Sequence, residues 1–302
     1  MQRLASFPER LVVRSARSGR ELGRLPLGAR CLQRYGAPYA TLHRSDLHGL
    51  LLRAVQAGGA THVHLDSPVE RFEQVPEGVQ LAWADGRLVE GDALVGADGV
   101  WSAVREQLLA DGPAPPTGHL AYRALLPMAE VPAPLRAQEV SAWLGPRLHA
   151  VSYPVCGGEQ LNLVVIVQGT PPDEHRVWDA PGWAEDVQQA LAGCCSALQD
   201  LAQAATAWGR WSLCDRTPVT GPGQLAQGRV ALLGDAAHPM LPYLAQGAGM
   251  AIEDAQVLAS AWSERSLAVP QRLQHYAQQR WQRNARVQQR AQRNARFFTA
   301  PA

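Results

Sequence analysis

Asp235 follows a short apolar run and precedes a loop that contains two prolines and two closely spaced glycines. The run at residues 230–233 has the length and composition of a strand buried on both faces, and Gly234 breaks it. Ligands of open α/β sheets lie beyond the carboxyl ends of strands. A carboxylate at this position is therefore well placed to accept hydrogen bonds from ligand hydroxyls.

The loop that follows is expected to be stiff and to approach a ligand closely. Pro239 and Pro242 restrict its backbone, and Gly247 and Gly249 remove side chains where a flat ligand could meet the main chain. From Met250 the apolar residues recur with helical spacing, so the loop ends at a helix N-terminus, which carries partial positive charge and free N–H groups. Spacing alone leaves an alternative open: an ordinary strand, loop and helix with a solvent-exposed carboxylate.

The full string is more specific than its spacing. Residues 234–255, GDAAHPMLPYLAQGAGMAIEDA, resemble the second flavin motif of class A flavoprotein monooxygenases, the FAD-dependent aromatic hydroxylases. The resemblance implies that Asp235 binds the ribityl chain of FAD and that the helix dipole stabilises the anionic reduced flavin. The cofactor-binding residues that it implies here are Gly234, Asp235, Pro242, Gly247, Ala248 and Gly249.

One Asp-Gly pair, Asp85-Gly86, is expected to form a hairpin turn between two strands. A second, Asp98-Gly99, lies at a predicted junction between a strand and a helix that Ser102 can cap. Residues 92–105, DALVGADGVWSAVR, resemble the Asp-Gly fingerprint of the same family. The resemblance implies that Asp98 and Gly99 lie at the FAD pyrophosphate region. Arg105 matches the last residue of the fingerprint and is a further implied cofactor ligand.

A third string, HRSDLHGLLL at residues 43–52, is expected to begin a helix with Ser45 as its N-cap. Apolar side chains recur on one face of this helix. They are Leu47, Leu50, Leu51 and Val55. The pattern alone indicates a plain amphipathic helix, whereas the string resembles a helix start of the family whose Arg reaches FAD. The resemblance implies that role for Arg44.

Two polar residues form the candidate catalytic pair. Residues 143–155 resemble the salicylate- and 3-hydroxybenzoate-hydroxylase branch of the family, which implies that His149 faces the phenol of the substrate. Gln246, beside the glycine pair, is the implied companion. Together they would orient or deprotonate the phenol and enrich the ring for electrophilic attack. The alternatives are a satisfied sheet histidine at His149 and a Gln246 that braces the glycine loop.

The chain contains no G-x-G-x-x-G string, with which a FAD-binding Rossmann domain opens. Compared with the family, it is therefore expected to begin well inside the protein and to lack the segment that holds the pyrophosphate. The expected fold is α/β, an incomplete Rossmann-type FAD-binding domain with an α+β substrate domain of mixed sheet, like p-hydroxybenzoate hydroxylase. The FAD-binding domain is expected over residues 1–112 and 216–265, the substrate domain over 113–215, and an Arg-rich helix over 266–302.

The function that the resemblance implies is hydroxylation of a phenolic or aromatic acid. NADH or NADPH would reduce the FAD, and O2 would supply the oxygen atom that enters the ring. A first alternative is a truncated, non-catalytic remnant of such an enzyme that does not retain FAD. A second is a flavin enzyme of different chemistry, such as a halogenase, although the chain lacks the W-x-W-x-I-P string of halogenases.

Composition excludes several other classes of protein. The net charge is +1, so neither nucleic acid nor another polyanion is an expected partner, and the Arg-rich helix is expected to pack on its own domain. No apolar run reaches the roughly 18 residues of a membrane span. No metal site is expected, because His62 and His64 on a predicted strand have no further ligand. Five scattered cysteines indicate reduced thiols and a cytoplasmic protein, for which a homodimer is left open.

Overall fold

A computed structural model of the chain describes residues 4–170 and 180–298. The strands are β1 (Arg10–Ser15), β2 (Glu21–Pro26), β3 (Val69–Val75), β4 (Gly78–Trp83), β5 (Leu88–Gly91), β6 (Leu94–Gly96), β7 (Pro116–Pro127), β8 (Glu139–Gly145), β9 (Leu148–Val155), β10 (Gln160–Gln168), β11 (Ala180–Gly182), β12 (Trp208–Cys214), β13 (Ala226–Gln227) and β14 (Val230–Leu232). The helices are α1 (Gly28–Tyr35), α2 (Arg44–Ala57), α3 (Ala103–Leu109), α4 (Ala184–Leu191), α5 (Ser196–Gln203), α6 (Gly247–Trp262) and α7 (Val269–Phe298).

The chain forms two compact units, and neither is continuous in sequence. The first contains Met1–His62, Gly118–Ser212 and Phe298–Ala302, and the second contains Val63–Thr117 and Leu213–Phe297. The predicted C-terminal helix is present as α7 and belongs to the second unit up to Phe297. The predicted four-segment division stays a prediction.

An eight-stranded mixed sheet is the centre of the first unit. Its strand order is β11-β12-β7-β10-β9-β8-β1-β2, and the predicted mixed sheet is therefore confirmed. The predicted hairpin at Gly157 joins β9 to β10. The N-terminal hairpin β1–β2, which the sequence placed with residues 1–112, extends this same sheet, because β1 pairs in parallel with β8.

Alternation along β9 gives this sheet two different faces. One face packs into a buried cluster with α4 and α5, and its members include Tyr122, Ala150, Leu163, Val165, Val187, Leu191, Leu198 and Leu201. On the other face, β9 contributes His149, Val151 and Tyr153. Their register partners on β10 are Ile166, Val164 and Asn162, and Arg123 of β7 pairs with Val164. We call the second surface the polar face: Arg123, His149, Val151, Tyr153 and Asn162.

The second unit contains a three-stranded mixed sheet in the order β13-β14-β6. The predicted strand at residues 230–233 is confirmed as β14, which pairs in parallel with β6 and antiparallel with β13. Gly96 ends β6 in a space without room for a side chain. An added Cβ would lie 2.8 Å from Cβ of Val104 on α3 and 2.9 Å from a methyl of Leu232 on β14. This close packing holds α3 against β6 and β14, the strands that lead to Asp98-Gly99 and to Gly234-Asp235.

A separate antiparallel sheet, β3-β4-β5, also belongs to the second unit. The predicted Asp85-Gly86 hairpin turn joins β4 to β5, and Gly86 has a φ of +86° that favours glycine. The predicted cap of α3 is confirmed as well, because Oγ of Ser102 accepts a hydrogen bond of 2.8 Å from the N–H of Arg105.

Two local predictions are wrong. Ser45 does not cap α2, which begins two residues earlier than predicted, at Arg44, with His43 at the N-cap. The Ser45 hydroxyl lies 2.6 Å from Nδ1 of His43 and bonds there instead. His62 and His64 lie in an irregular segment rather than on a strand. Over residues 4–170 and 180–298, no group of His, Cys, Asp and Glu could hold a metal ion, and no helix is long and apolar enough to cross a membrane.

Candidate functional site

The Asp235 turn is defined here as residues 234–238, directly after β14. Gly234 has a φ of +61°, and its carbonyl accepts hydrogen bonds of 2.9 Å from the N–H groups of Ala237 and His238. The Asp235 side chain is exposed. Its Oδ1 atom would lie 3.9 Å from a Cβ placed on Gly247, the first residue of α6. The carboxylate therefore stands beside the N-terminus of that helix.

The N-terminus of α6 is open to a ligand. The helix starts at Gly247, three residues before the predicted start, because Gly247, Ala248 and Gly249 carry no apolar side chain that would reveal helical periodicity. Its N-cap residue Gln246 makes no side-chain capping bond, and the first turn contains no acidic residue. Ala248 and Gly249 are exposed. The first N–H groups of a helix can then serve a bound group.

Pro242 and Gln246 border this surface. Pro242 is exposed and begins the 3₁₀ turn Pro242–Leu244, which ends at Ala245 with a φ of +51°. Oε1 of Gln246 would lie 3.9 Å from a Cβ on Gly249, so the amide lies along the first turn of its own helix. This placement is compatible with the predicted catalytic role and with a brace of the glycine loop.

Asp98 and Arg105 have partners within the protein. Oδ1 of Asp98 accepts a 2.5 Å bond from Oγ of Ser102, and its Oδ2 accepts from the N–H of Val104, so the carboxylate closes the N-terminus of α3. Gly99 has a φ of +80°. The Arg105 guanidinium is 3% exposed and ion-pairs with Asp111 at 2.7 Å. It also donates to the backbone of the Asp235 turn, and its cofactor-binding role stays a prediction.

Sequence reasoning missed a buried ionic cluster behind the Asp235 turn. Asp254 of α6 bonds to His238 in the turn and ion-pairs with Arg280 of α7 at 2.7 Å. Burial by itself would raise the pKa of Asp254, but hydrogen bonds from His238 and Arg280 outweigh it and lower the pKa. The sequence contains both charged residues, Asp254 in the AIEDA end of the motif and Arg280 in the Arg-rich helix. No pattern in the sequence shows that these two residues meet.

His149 lies on the polar face of the first unit and is 7% exposed. Its ring centroid is 5.2 Å from that of Phe298. Burial lowers the pKa of His149 to about 4, so the imidazole is neutral at physiological pH. Burial also raises the pKa of the neighbouring Tyr153. Among the described residues none accepts a hydrogen bond from Nδ2 of Asn162, which is 4% exposed on the same face.

The predicted site residues are divided between the two units. Arg44, the exposed first residue of α2, and His149 lie in the first unit. Gln246 and the other predicted flavin ligands lie in the second. Within the second unit, the structure brings Asp235, Gly247 and Arg105 to one turn.

Comparison with known proteins identifies the family. A model described as FAD binding domain matches residues 20–291. The chain is 39% identical over 283 residues to a 3-hydroxybenzoate 6-hydroxylase of Polaromonas naphthalenivorans (strain CJ2), covering 94% of this chain and 69% of the relative. The chain belongs to the class A flavoprotein monooxygenases.

Solved structures agree with this flavoprotein monooxygenase fold. Klebsiella pneumoniae HpxO complexed with FAD and uric acid superposes with a TM-score of 0.86 at 25% identity, covering 99% of this chain and 74% of that one. A salicylate hydroxylase substrate complex gives a TM-score of 0.84 at 25% identity, with 99% and 76% covered. The prediction of a p-hydroxybenzoate hydroxylase-like α/β fold, with FAD as cofactor and NAD(P)H as co-substrate, is confirmed.

The residues of this flavoprotein monooxygenase fit FAD. The Asp235 carboxylate is an acceptor suited to ribityl hydroxyls, and it stands beside a helix terminus that can stabilise negative charge on a flavin. Side chains at Gly247 and Gly249 would fill the surface next to Asp235 and Gln246. A flat ring system can approach the backbone there because both are glycine.

The depressed pKa of His149 predicts how stability depends on pH. The native value of about 4 lies below the ordinary 6.5, so the folded state binds fewer protons between these values. The stability that the neutral imidazole contributes to the folded state is fully present above about pH 6.5 and is lost as pH falls toward 4. At pH 5 the free energy of unfolding should be lower by about 2 kcal/mol from this residue. Urea unfolding measures the free energy of unfolding at each pH. Between pH 7.5 and pH 5 this free energy should therefore fall by about 2 kcal/mol less for His149→Gln than for wild type.

The control for this comparison is His48→Gln, which changes an exposed histidine of α2. Its loss of stability between the two pH values should match that of wild type. An equal loss for wild type and His149→Gln would contradict the burial of a neutral imidazole at this position.

Proposed function

We propose that the chain hydroxylates a phenolic or aromatic acid, with FAD as cofactor and with NADH or NADPH and O2 as co-substrates. The observation that carries this proposal is the Asp235 carboxylate beside the uncapped Gly-Ala-Gly start of α6, in a chain of the FAD-binding family. That pair of features supplies an acceptor for a polyol and a positive potential for an anion.

Within this proposal the second unit binds and tunes the cofactor. Bound FAD supplies hydride acceptance from NAD(P)H and activation of O2. Asp235 would accept hydrogen bonds from the ribityl hydroxyls, and the N–H groups at Gly247 and Ala248 would favour negative charge on a ring bound beside them. Asp98, Gly99 and Pro242 are further proposed contacts of this unit, and Arg44 of the first unit is a separately proposed cofactor ligand, all on the strength of matching family motifs.

The polar face of the first unit is proposed to bind the substrate ring. A neutral His149 accepts a hydrogen bond from the phenol and orients it, and it can take the proton as the ring becomes electron-poor. Val151 and Ile166, on the same face, present an apolar surface that keeps water from the reaction. Gln246, which belongs to the second unit, is a further proposed catalytic residue, on the strength of its matching family motif.

A hydroxybenzoate is the proposed substrate class. It contains the phenol that His149 would orient, and the relative that is 39% identical is named for acting on 3-hydroxybenzoate. Arg123 lies on the same face as His149 and is a suitable partner for a ring carboxylate. The position of hydroxylation is left to product analysis, and a homodimer is a prediction for sedimentation analysis.

Product formation under labelled oxygen tests the proposal. Purified chain with FAD and NADH is expected to convert one member of a hydroxybenzoate panel to a dihydroxybenzoate that contains one 18O atom from 18O2. NADH and NADPH are compared in parallel reactions. A protein that purifies without a flavin absorbance band and forms no product with added FAD would contradict the proposal and favour the non-catalytic remnant.

A further inference from the structure

The buried carboxylate of Asp254 contacts the Asp235 turn at two points. Asp254 lies on α6 and is 0% exposed. Its Oδ2 accepts a 3.1 Å hydrogen bond from the N–H of Gly234 and a second bond from Nε2 of His238. These two donors are the first and last residues of the turn. One carboxylate oxygen therefore fixes both ends of the segment that carries Asp235.

Arg105 holds the same turn from its carbonyl side. The Nη1 atom donates to the carbonyl of Ala236 at 3.0 Å and to the carbonyl of Ala237 at 2.6 Å. These carbonyls follow Asp235 directly in sequence. The Gly234 N–H and the His238 ring thus meet an anion, the carbonyls of Ala236 and Ala237 meet a cation, and Asp235 between them is exposed.

Other residues hold Asp254 itself in place. Its Oδ1 accepts a 2.7 Å hydrogen bond from Nε of Arg280, a residue of α7 that is 5% exposed. Arg280 also bonds to Glu253 at 2.9 Å, and Glu253 pairs with Arg283 at the surface. Glu253 is the chain neighbour of Asp254, but it ion-pairs with Arg280 and Arg283 of α7 and not with the turn.

A buried ion pair is weak evidence for stability, because apolar residues of similar volume are often as stable or more so. Such a group can still specify one conformation of the backbone around it. The backbone that Asp254 would specify is the Asp235 turn, in which Gly234 has left-handed φ. From this turn the Asp235 carboxylate reaches the start of α6. Asp254 lies on that same helix, so it links the turn to the helix terminus.

We propose that Asp254 is a positioning residue for the cofactor: with His238 and Arg105 it clamps the Asp235 turn, so that the Asp235 carboxylate and the α6 terminus act on one ligand. This inference rests on the proposed function, since FAD is the ligand in question. None of the three clamp residues is required to touch FAD. Their effect on FAD binding should therefore depend on Asp235.

A double-mutant cycle tests this dependence. FAD fluorescence quenching is titrated with the full chain as wild type, Asp254→Asn, Asp235→Ala and the double variant. Asp254→Asn is expected to weaken FAD binding at least about tenfold. An amide has one acceptor oxygen where the carboxylate has two, so either the Gly234 and His238 donors or the Arg280 donor loses its acceptor. The double variant should bind no more than about twofold more weakly than Asp235→Ala, since coupled residues are not additive.

Glu253→Gln is the matched control. It makes the same acid-to-amide change at the adjacent residue and breaks bonds to Arg280 and Arg283, so it should leave FAD affinity within about twofold of wild type. Unchanged affinity in Asp254→Asn, or multiplicative loss in the double variant, would overturn the proposal. If Asp254→Asn does not fold, His238→Ala takes its place in the cycle under the same criteria.

Hydrogen exchange separates this proposal from the proposed function. In the apoprotein, exchange at the Gly234 N–H should be at least about tenfold faster in Asp254→Asn than in wild type or Glu253→Gln. Unchanged exchange would overturn the clamp, whatever the chain binds. Faster exchange in a chain that binds no FAD would support the clamp while contradicting the proposed function.

Discussion

Replacement of Asp235 by Ala is expected to weaken FAD binding by at least about 100-fold. A hydrogen bond to a charged group contributes about 1.5–3 kcal/mol, and the carboxylate can accept two from the ribityl chain. The exposed position of Asp235 means that little of this loss should appear as lower stability of the apoprotein. Fluorescence quenching titrations measure the affinity, and urea unfolding of the apoprotein measures the stability.

Asp85→Ala is the control for this variant. Asp85 is also an exposed aspartate of the second unit, and it lies in the β4–β5 hairpin turn, where its carboxylate bonds to Arg87. The affinity of this variant for FAD should equal that of wild type. Equal affinities for Asp235→Ala and wild type would show that the carboxylate is no ligand of the cofactor.

Replacement of His149 by Ala should lower kcat/KM for the aromatic substrate by about 10²–10⁴-fold, the usual range for a group that handles a proton in the transition state. FAD affinity should not change, because no FAD contact is proposed for His149. His149→Gln should retain part of the activity, since an amide can still accept a hydrogen bond from a phenol. Substrate-dependent NADH oxidation and product formation measure the two effects.

The pH dependence of the reaction provides a further readout for His149. With a pKa of about 4 the imidazole is neutral across pH 6–8, so wild-type activity should show no acid limb from this residue in that range. His119→Gln on β7 is a matched strand control and should keep wild-type kcat/KM. Wild-type activity in His149→Ala would show that His149 has no role in the mechanism. The alternative interpretation, a histidine that only satisfies its hydrogen bonds within the sheet, would then hold.

Local patterns in the sequence predict much of the second unit. The strand before Asp235, the Ser102 cap and the Asp85-Gly86 turn all depend on residues within a few positions of each other, and all are present. The α6 start was displaced by three residues because Gly-Ala-Gly shows no apolar period. At Ser45 the hydroxyl had a nearer partner in the His43 ring.

Contacts between distant residues could not be predicted. Arg105 reaches the carbonyls of Ala236 and Ala237, which are 131 and 132 residues away in the chain. Arg280 and Asp254 lie on different helices, and no periodicity shows that a guanidinium and a carboxylate will meet in a core. The pairing of β1 with β8 is likewise a long-range parallel register that turn signals do not specify. Each becomes visible only once the packing is known.

Hydrogen exchange with and without saturating FAD tests most directly whether the Asp235 turn and the start of α6 form the cofactor site. Peptides that cover residues 234–250 should exchange more slowly when FAD is bound, with no change in peptides that cover β4 and β5. Saturable FAD binding with unchanged exchange over residues 234–250 would contradict this assignment of the cofactor site.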